Sequence, residues 1–301
     1  MQLINLCNRL NEYKIEYVLD EPMNRHTTFK IGGKADLFIK AHTVKELKTI
    51  INLAKAFNTP YFIIGKGSNL LVSDNGIEGM VISIDGLDDV MFDGETMICG
   101  AGASLRTVCL AAQKASLSGL EFAYGIPGTI GGALYMNAGA YGGEMSQVVV
   151  SADAINSDGN IVKFSLADMQ LGYRTSIFKN SDLIIVSVTM QLKSGNCNDI
   201  KNQMDDFFSR RRDKQPLEFP SAGSTFKRPE GYFAGALIEQ NNLKGVSVGG
   251  AQVSEKHAGF VINKGNATCD DVLALIEKIK ETVKLANNVE LEPEVIFVGR
   301  K

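Results

Sequence analysis

Glycines are the residues best suited to chemistry by type and spacing. Residues 125–143, GIPGTIGGALYMNAGAYGG, hold seven of them together with Pro127, Asn137 and Tyr141. Glycine loses more freedom on folding than any other residue, so this stretch is costly to order. Such a loop is kept where something flat or phosphorylated must lie against bare backbone. The plain alternative is a flexible linker, but linkers are rarely this apolar, and Ile126, Ile130, Leu134 and Met136 interrupt the glycines. A second cluster, Gly65-Lys66-Gly67-Ser68-Asn69, has the form of an anion-binding nest, where backbone N–H groups converge because no side chain intervenes. Taken alone, it reads as an ordinary tight turn.

Other chemistries are poorly supported. A dinucleotide fingerprint needs a third small residue for close helix–strand packing, and Leu70 and Leu105 stand there after Gly65-x-Gly67 and Gly100-x-Gly102. His26, His42 and His257 form no ligand spacing with one another or with the cysteines, so no metal is expected. Cys7, Cys99, Cys109, Cys197 and Cys269 are odd in number and lack a C-x-x-C, which reads as reduced thiols. Net charge is -3, and the Arg210-Arg211-Arg212 cluster is too short to form a nucleic-acid face. No apolar run approaches the roughly 20 residues of a membrane span. The opening MQLINLCNRLNEYKIE lacks the pattern of a signal peptide, so a cytoplasmic chain is expected.

These loops must be held by regular elements. Hydrophobic residues make up 45% and charged residues 22% of the 301 residues, enough for packed cores and for two or three domains. Leu3, Cys7 and Leu10 predict an opening helix, and TTFKIGGKADLFIKA reads as strand broken at Gly32-Gly33. Thr43 and Glu46 form a capping box before a helix with Leu47, Ile50, Ile51 and Ala54 on one face. YFIIGKGSNLLVS reads as a strand, a glycine turn and a second apolar run. Hairpins are predicted at Asp93-Gly94 and Asp158-Gly159, and a helix from Ser104 stopping near Gly119. Residues 125–143 hold no sustained period of either kind. DLIIVSVTMQL reads as a strand, followed by a helix ending in SRRRDKQP. Beyond it come a helix near YFAGALIEQNN, a turn at Gly249-Gly250, the strand GFVIN, and a long helix from Thr268, capped with Asp271, to about Asn287. VELEPEVIFVG is read as a closing strand. Strands and helices without strict alternation argue for an α+β fold.

The motifs IIGKGSNLLVSD, GIPGTIGGALYMNAGAYGGE, GYRTSIFK, PSAGSTFKRP and LEPEVIFVG stand in one order between about Arg25 and Gly299. In this the chain resembles the UDP-N-acetylenolpyruvoylglucosamine reductase family of bacterial cell-wall synthesis. The resemblance implies a two-domain FAD-binding module of the vanillyl-alcohol-oxidase (PCMH) type plus a smaller α+β substrate-binding domain. The corresponding segments are 1–84, with 289–301 returning to it, then 85–213 for the flavin and 214–288 for the substrate. It also implies a reaction in which NADPH reduces FAD and FAD reduces the enolpyruvyl ether of a UDP-sugar, with no obligatory protein partner. Only IFKNS separates Ser176 from DLIIVSVTMQL, so the chain resembles the shorter, second type that lacks an inserted tyrosine loop.

Residue by residue, the resemblance assigns Arg174, Ser224 and Glu294 to catalysis. Hydride adds to the methylene carbon of the enol ether because the neighbouring carboxylate delocalises the charge that results. Arg174 would hold that carboxylate, and Glu294, expected to carry its proton, would donate to the same oxygens. Ser224 would protonate the enolate at carbon. Alone, each of the three would be an unremarkable surface or turn residue. The resemblance assigns flavin binding to Gly65, Lys66, Gly67, Ser68, Asn69 and Leu70, and to Gly125, Ile126, Pro127, Gly128, Gly131, Gly132, Asn137, Ala138 and Gly139. Neither loop contains a cysteine or histidine, so the flavin is expected to be non-covalent. Tyr173 is assigned to the substrate, and the charges of Lys214 and Arg228 suit its diphosphate. A flavin-dependent carbohydrate oxidase of the same fold, or a silent UDP-sugar-binding regulator, are the competing readings. The oxidase has no use for a serine acid, and the regulator would have lost one of the three catalytic residues.

Overall fold

The computed structural model describes residues 2–300, with side chains from residue 3. Seven α-helices are described: α1 (Gln2–Glu12), α2 (Val44–Ala56), α3 (Leu105–Lys114), α4 (Ile130–Tyr135), α5 (Cys197–Lys214), α6 (Ala234–Gln240) and α7 (Cys269–Asn287). Contacts divide the chain into two units, neither of them a continuous segment. One comprises Met1–Tyr17, Phe38–Gly65 and Met80–Arg211, the other Val18–Leu37, Lys66–Gly79 and Arg212–Lys301.

The first unit is built on a five-stranded sheet in the order Ile161–Ser165, Val149–Ile155, Ile184–Gln191, Thr96–Gly100, Val90–Asp93, antiparallel throughout. The hairpins expected at Asp93-Gly94 and Asp158-Gly159 join its two flanking pairs, with both glycines at positive φ. In the same unit Tyr61–Ile64 runs parallel to Met80–Ser83. The buried stripe of α2, Leu47, Ile50, Ile51 and Ala54, is the one its spacing predicts. Its cap differs in one bond. Thr43 accepts the Glu46 N–H at 3.1 Å, but the Glu46 carboxylate reaches back past Thr43 to the His42 N–H at 2.7 Å.

In the second unit a short antiparallel sheet, Ser247–Val248, Ala251–Val253 and Val261–Asn263, shares one core with α6 and α7. Helix α7 buries Val272, Leu275, Ile276, Ile279 and Val283, the stripe of an amphipathic helix. Each such side chain contributes about 1.5–3 kcal/mol on leaving water. Both bonds of the capping box between Thr268 and Asp271 are made. Leu70–Val72 runs parallel to Ile296–Val298.

Three expectations are corrected. Helix α3 ends at Lys114, well before Gly119, because Ser116 takes the left-handed turn (φ +58°) that a glycine was expected to supply. Residues 125–143 are not wholly irregular: Thr129 accepts the Gly132 N–H at 3.2 Å and starts α4 inside the glycine-rich stretch. The closing strand is only Ile296–Val298, so Glu292 and Glu294 precede it.

The structure also explains the rejected fingerprint at Gly100-Ala101-Gly102. A Cβ on Gly100 would lie 2.3 Å from the Leu87 carbonyl oxygen, and one on Gly102 would lie 1.8 Å from that of Ile84. These glycines let two backbones touch. Gly102→Ala must therefore push rigid backbone apart, with an expected loss of about 2–3 kcal/mol in thermal or denaturant unfolding. A loss below about 0.5 kcal/mol, the range of an indifferent surface change, would contradict this packing role.

Candidate active site

In the first unit Arg174 sits in a tight turn closed by two backbone bonds, Gly172 N–H to Thr175 O (3.1 Å) and Thr175 N–H to Gly172 O (3.3 Å). Arg174 itself is left-handed, at φ +55°. That conformation costs a non-glycine residue about 1–2 kcal/mol, so the surroundings must enforce it. They come from the end of the glycine-rich loop. Asn137, 1% exposed, donates through Nδ2 to the Gly172 carbonyl at 3.1 Å and accepts the Ser146 N–H through Oδ1 at 2.9 Å. The Ser176 hydroxyl donates to the Tyr135 carbonyl at 2.7 Å, and the Tyr135 hydroxyl to the Lys179 carbonyl at 3.3 Å. Burial raises the Tyr135 phenol above its ordinary pKa, which keeps it a donor. Lys179 closes the turn by donating to the Arg174 carbonyl at 3.3 Å. The Arg174 guanidinium lies 5.3 Å from the ring centre of Tyr173, whose side chain is exposed. A forked cation is thereby presented on a fixed backbone.

In the second unit Ser224 follows Gly223, which needs its positive φ of +80°. The next residue is buried and bonded on all sides. Thr225 donates its N–H to Gly259 O at 2.8 Å, its hydroxyl accepts the Val261 N–H at 2.9 Å, and its carbonyl accepts the Glu294 N–H at 2.8 Å. With Lys227 N–H to Glu292 O (2.9 Å) and the bridge between Phe226 and Pro293, this forms a short antiparallel ladder. The ladder sets Ser224 beside the segment carrying Glu294. Asn69 ties in the first glycine cluster, donating through Nδ2 to the Glu294 carbonyl at 3.1 Å and accepting the Ile296 N–H at 2.9 Å. Glu294 is half-buried, whereas the Glu292 carboxylate is 69% exposed and ion-paired with Lys227. Lys214, the last residue of α5, and Arg228 are both exposed. Arg228 donates to the Tyr232 carbonyl and stacks on Phe233, with 3.9 Å from guanidinium carbon to ring centre.

Each glycine-rich loop, taken by itself, leaves backbone donors unused. Among the described residues, the N–H groups of Gly67, Ser68 and Asn69 donate to no protein acceptor, nor do those of Gly125, Gly128 and Thr129. Backbone donors left unmade at a loop are what a diphosphate takes up. By contrast, the N–H groups of Ile130, Gly131 and Gly132 are engaged by Ala103, Ala101 and Thr129. Gly131 and Gly132 therefore serve α4 and its packing. No group of three or more His, Cys, Asp or Glu placed to hold a metal ion occurs among the described residues.

Sequence reasoning passed over Thr129, Tyr135, Ser176 and Thr225, which brace the segments carrying the candidate residues. Only Thr129 left a signal, a threonine opening an apolar run.

Comparison with known proteins gives a consistent result. Residues 35–165 match the family model of an FAD binding domain, and residues 215–298 that of the C-terminal domain of UDP-N-acetylenolpyruvoylglucosamine reductase. The chain is 50% identical over 295 residues to the UDP-N-acetylenolpyruvoylglucosamine reductase of Clostridium novyi (strain NT), covering 96% of each. It is 51% identical over 284 residues to that of Clostridium botulinum (strain Hall), covering 94% of this chain and 93% of the relative. The crystal structure of UDP-N-acetylenolpyruvylglucosamine reductase from Thermus caldophilus superposes with a TM-score of 0.80 at 34% identity, covering 94% of this chain and 98% of that one. A structure of alkyldihydroxyacetonephosphate synthase shares the fold alone, with a TM-score of 0.50 and 15% identity over 63% of this chain and 40% of its own. With half its residues identical to such relatives across nearly its full length, the chain belongs to the UDP-N-acetylenolpyruvoylglucosamine reductase family.

Proposed function

We propose that this chain reduces the enolpyruvyl ether of UDP-N-acetylglucosamine enolpyruvate to the lactyl ether of UDP-N-acetylmuramate, a step of peptidoglycan precursor synthesis. FAD is the cofactor and NADPH the hydride donor. The observation that carries the reading is the ladder in which the Glu294 N–H bonds to Thr225, next to Ser224, while Asn69 of the glycine cluster bonds to Glu294. A hydroxyl and a carboxyl are thereby held beside a loop with open backbone donors.

When bound, FAD supplies the hydride that adds to the methylene carbon of the enol ether. The protein must then meet charge gathering on the substrate carboxylate. Arg174 presents a permanent cation with a planar fork of donors, and its enforced turn means that little reorganises as charge develops. Glu294, as the neutral acid, donates a hydrogen bond to the same oxygens. Ser224 delivers its hydroxyl proton to the adjacent carbon as the enolate collapses. Tyr173, Lys214 and Arg228 stand for the sugar and diphosphate. The family models at 35–165 and 215–298 support a division in which 1–84 (with 289–301) and 85–213 hold flavin and 214–288 meets substrate. Cytoplasmic placement is supported by five cysteines that are all free, with burial raising Cys99 and Cys269 to about 12. No helix among the described residues is long and apolar enough to cross a membrane.

A carbohydrate oxidase would have no role for Ser224, and a silent binder no need of the enforced Arg174 turn.

Three measurements test this. Acid precipitation should release all flavin to the supernatant, and yellow pellets would exclude non-covalent binding. Ser224→Ala should leave flavin reduction by NADPH intact in stopped flow while slowing reoxidation by the enolpyruvyl sugar about 10²–10⁴-fold. Equal slowing of both halves would assign Ser224 to the fold instead. Glu294→Gln should lower steady-state turnover by two to three orders of magnitude, as for one oxyanion donor, with flavin retained. Glu292→Gln removes only an exposed ion pair and should change turnover less than about two-fold. A larger loss at Glu292 would show that the wrong acid had been named.

A further inference from the structure

The C-terminal end of α5 lies against the glycine-rich loop in the first unit. Phe207 stacks on Tyr141 with ring centres 4.8 Å apart and planes 8° apart, and Phe208 meets Tyr124 edge-on at 5.8 Å. Arg211, further along the same helix, reaches the loop beside Phe208. A Cβ on Gly125 would lie 3.0 Å from its Cδ and 3.9 Å from its Nε, so the side chain follows the bare backbone where the loop begins. The Nε is closed off from solvent and donates to nothing among the described residues. Its neighbours are paired, Arg210 with Asp206 at 2.8 Å and Arg212 with Asp213 at 3.6 Å, whereas Arg211 has no ion pair among the described residues.

Arg211 is partly buried with its Nε shut away from water, and such a cation without an anion is costly, since a guanidinium does not escape by losing its proton. Desolvation lowers the Arg211 pKa, with the Tyr141 hydroxyl pulling the other way. The neighbourhood indicates what would neutralise it. Gly125, Gly128 and Thr129 hold unused N–H groups on the same loop, inside the segment that matches an FAD binding domain. A fork of charged donors beside open backbone amides is the donor set that a diphosphate takes.

We propose that Arg211 is a ligand-binding cation, receiving a diphosphate oxygen of a bound nucleotide at the Gly125 edge of the loop. The inference rests on FAD being the cofactor. Two nucleotides bring a diphosphate, FAD and the UDP-sugar, and the position of Gly125 favours FAD. The Phe207–Tyr141 stack then orders the loop and seats the cation in one arrangement.

The test uses apoprotein prepared by acid release and refolding, with wild type, Arg211→Gln and Arg211→Lys compared. FAD and riboflavin are titrated by flavin fluorescence, and UDP-N-acetylglucosamine by its perturbation of the bound flavin spectrum. Arg211→Gln should weaken FAD about 10- to 100-fold, the range of one or two charge-assisted bonds, and leave riboflavin, which has no phosphate, within three-fold. Arg211→Lys should recover part of the loss, because it restores charge without the fork. Gly125→Ala, which displaces the Arg211 stem but keeps its charge, should also weaken FAD. Unchanged FAD with UDP-N-acetylglucosamine weakened ten-fold would uphold the cation and assign it to the UDP diphosphate. Equal weakening of FAD and riboflavin, or no change in either nucleotide, would overturn the proposal. Failure of wild type to bind FAD would instead strike the cofactor assignment itself.

Discussion

Asn137 is almost completely buried, and both ends of its amide are committed: Nδ2 to the Gly172 carbonyl and Oδ1 to the Ser146 N–H. A glycine-rich segment gains little order from its own side chains, so its shape must be imposed from outside. This amide does so in one direction and exports the result in the other. Within a low-dielectric interior such bonds are strong when complete and expensive when broken, which makes the joint nearly all-or-none. The left-handed turn at Arg174 inherits its geometry from that joint, with Ser176 and Tyr135 as a second fastening.

The second unit reaches the same end by a related device. Asn69, closing the other glycine cluster, bonds to the backbone of Glu294. In both units an asparagine of a glycine-rich loop grips the main chain of a distant segment, Asn137 at Gly172 and Asn69 at Glu294. Thr225 extends the idea, since three of its polar groups are used internally and the hydroxyl of Ser224 next to it is left exposed.

Much of this was legible in the residues. The α2 and α7 stripes, both main hairpins and the capping at Thr268 follow from periodicity and turn chemistry, which act locally. The glycine-rich composition of residues 125–143 stands out in the sequence, whereas Gly65–Asn69 taken alone reads as an ordinary tight turn. What stayed hidden depends on residues far apart in the chain. Nothing near Gly102 announces that the Ile84 carbonyl lies against it, and nothing near Thr225 announces Glu294. The closing strand was read too long because alternation in LEPEVIFV resembles a strand, although Pro293 and the ladder to Phe226 draw its first half elsewhere. Helix α4 is hard to see in the sequence because Gly131-Gly132 in its first turn disfavour a helix, and one threonine cap with tertiary packing outweighs them.

The parallel pairing of Leu70–Val72 with Ile296–Val298 has a consequence for synthesis of the chain. Asn69 and Glu294 are separated by 225 residues, so a growing polypeptide makes one side of this joint long before the other. Until Ile296–Val298 has been made, Leu71 and Val72, fully buried in the finished protein, lack this partner strand. The first unit ends at Arg211 and can assemble beforehand, whereas the second draws on Lys66–Gly79 and on everything after Arg212. Closure of that non-local pair is the kind of step that slows folding, because loop-closure entropy must be met before the contact forms. Ser224 and Glu294 are thus set side by side only once both partners of the Thr225–Glu294 bond have been made.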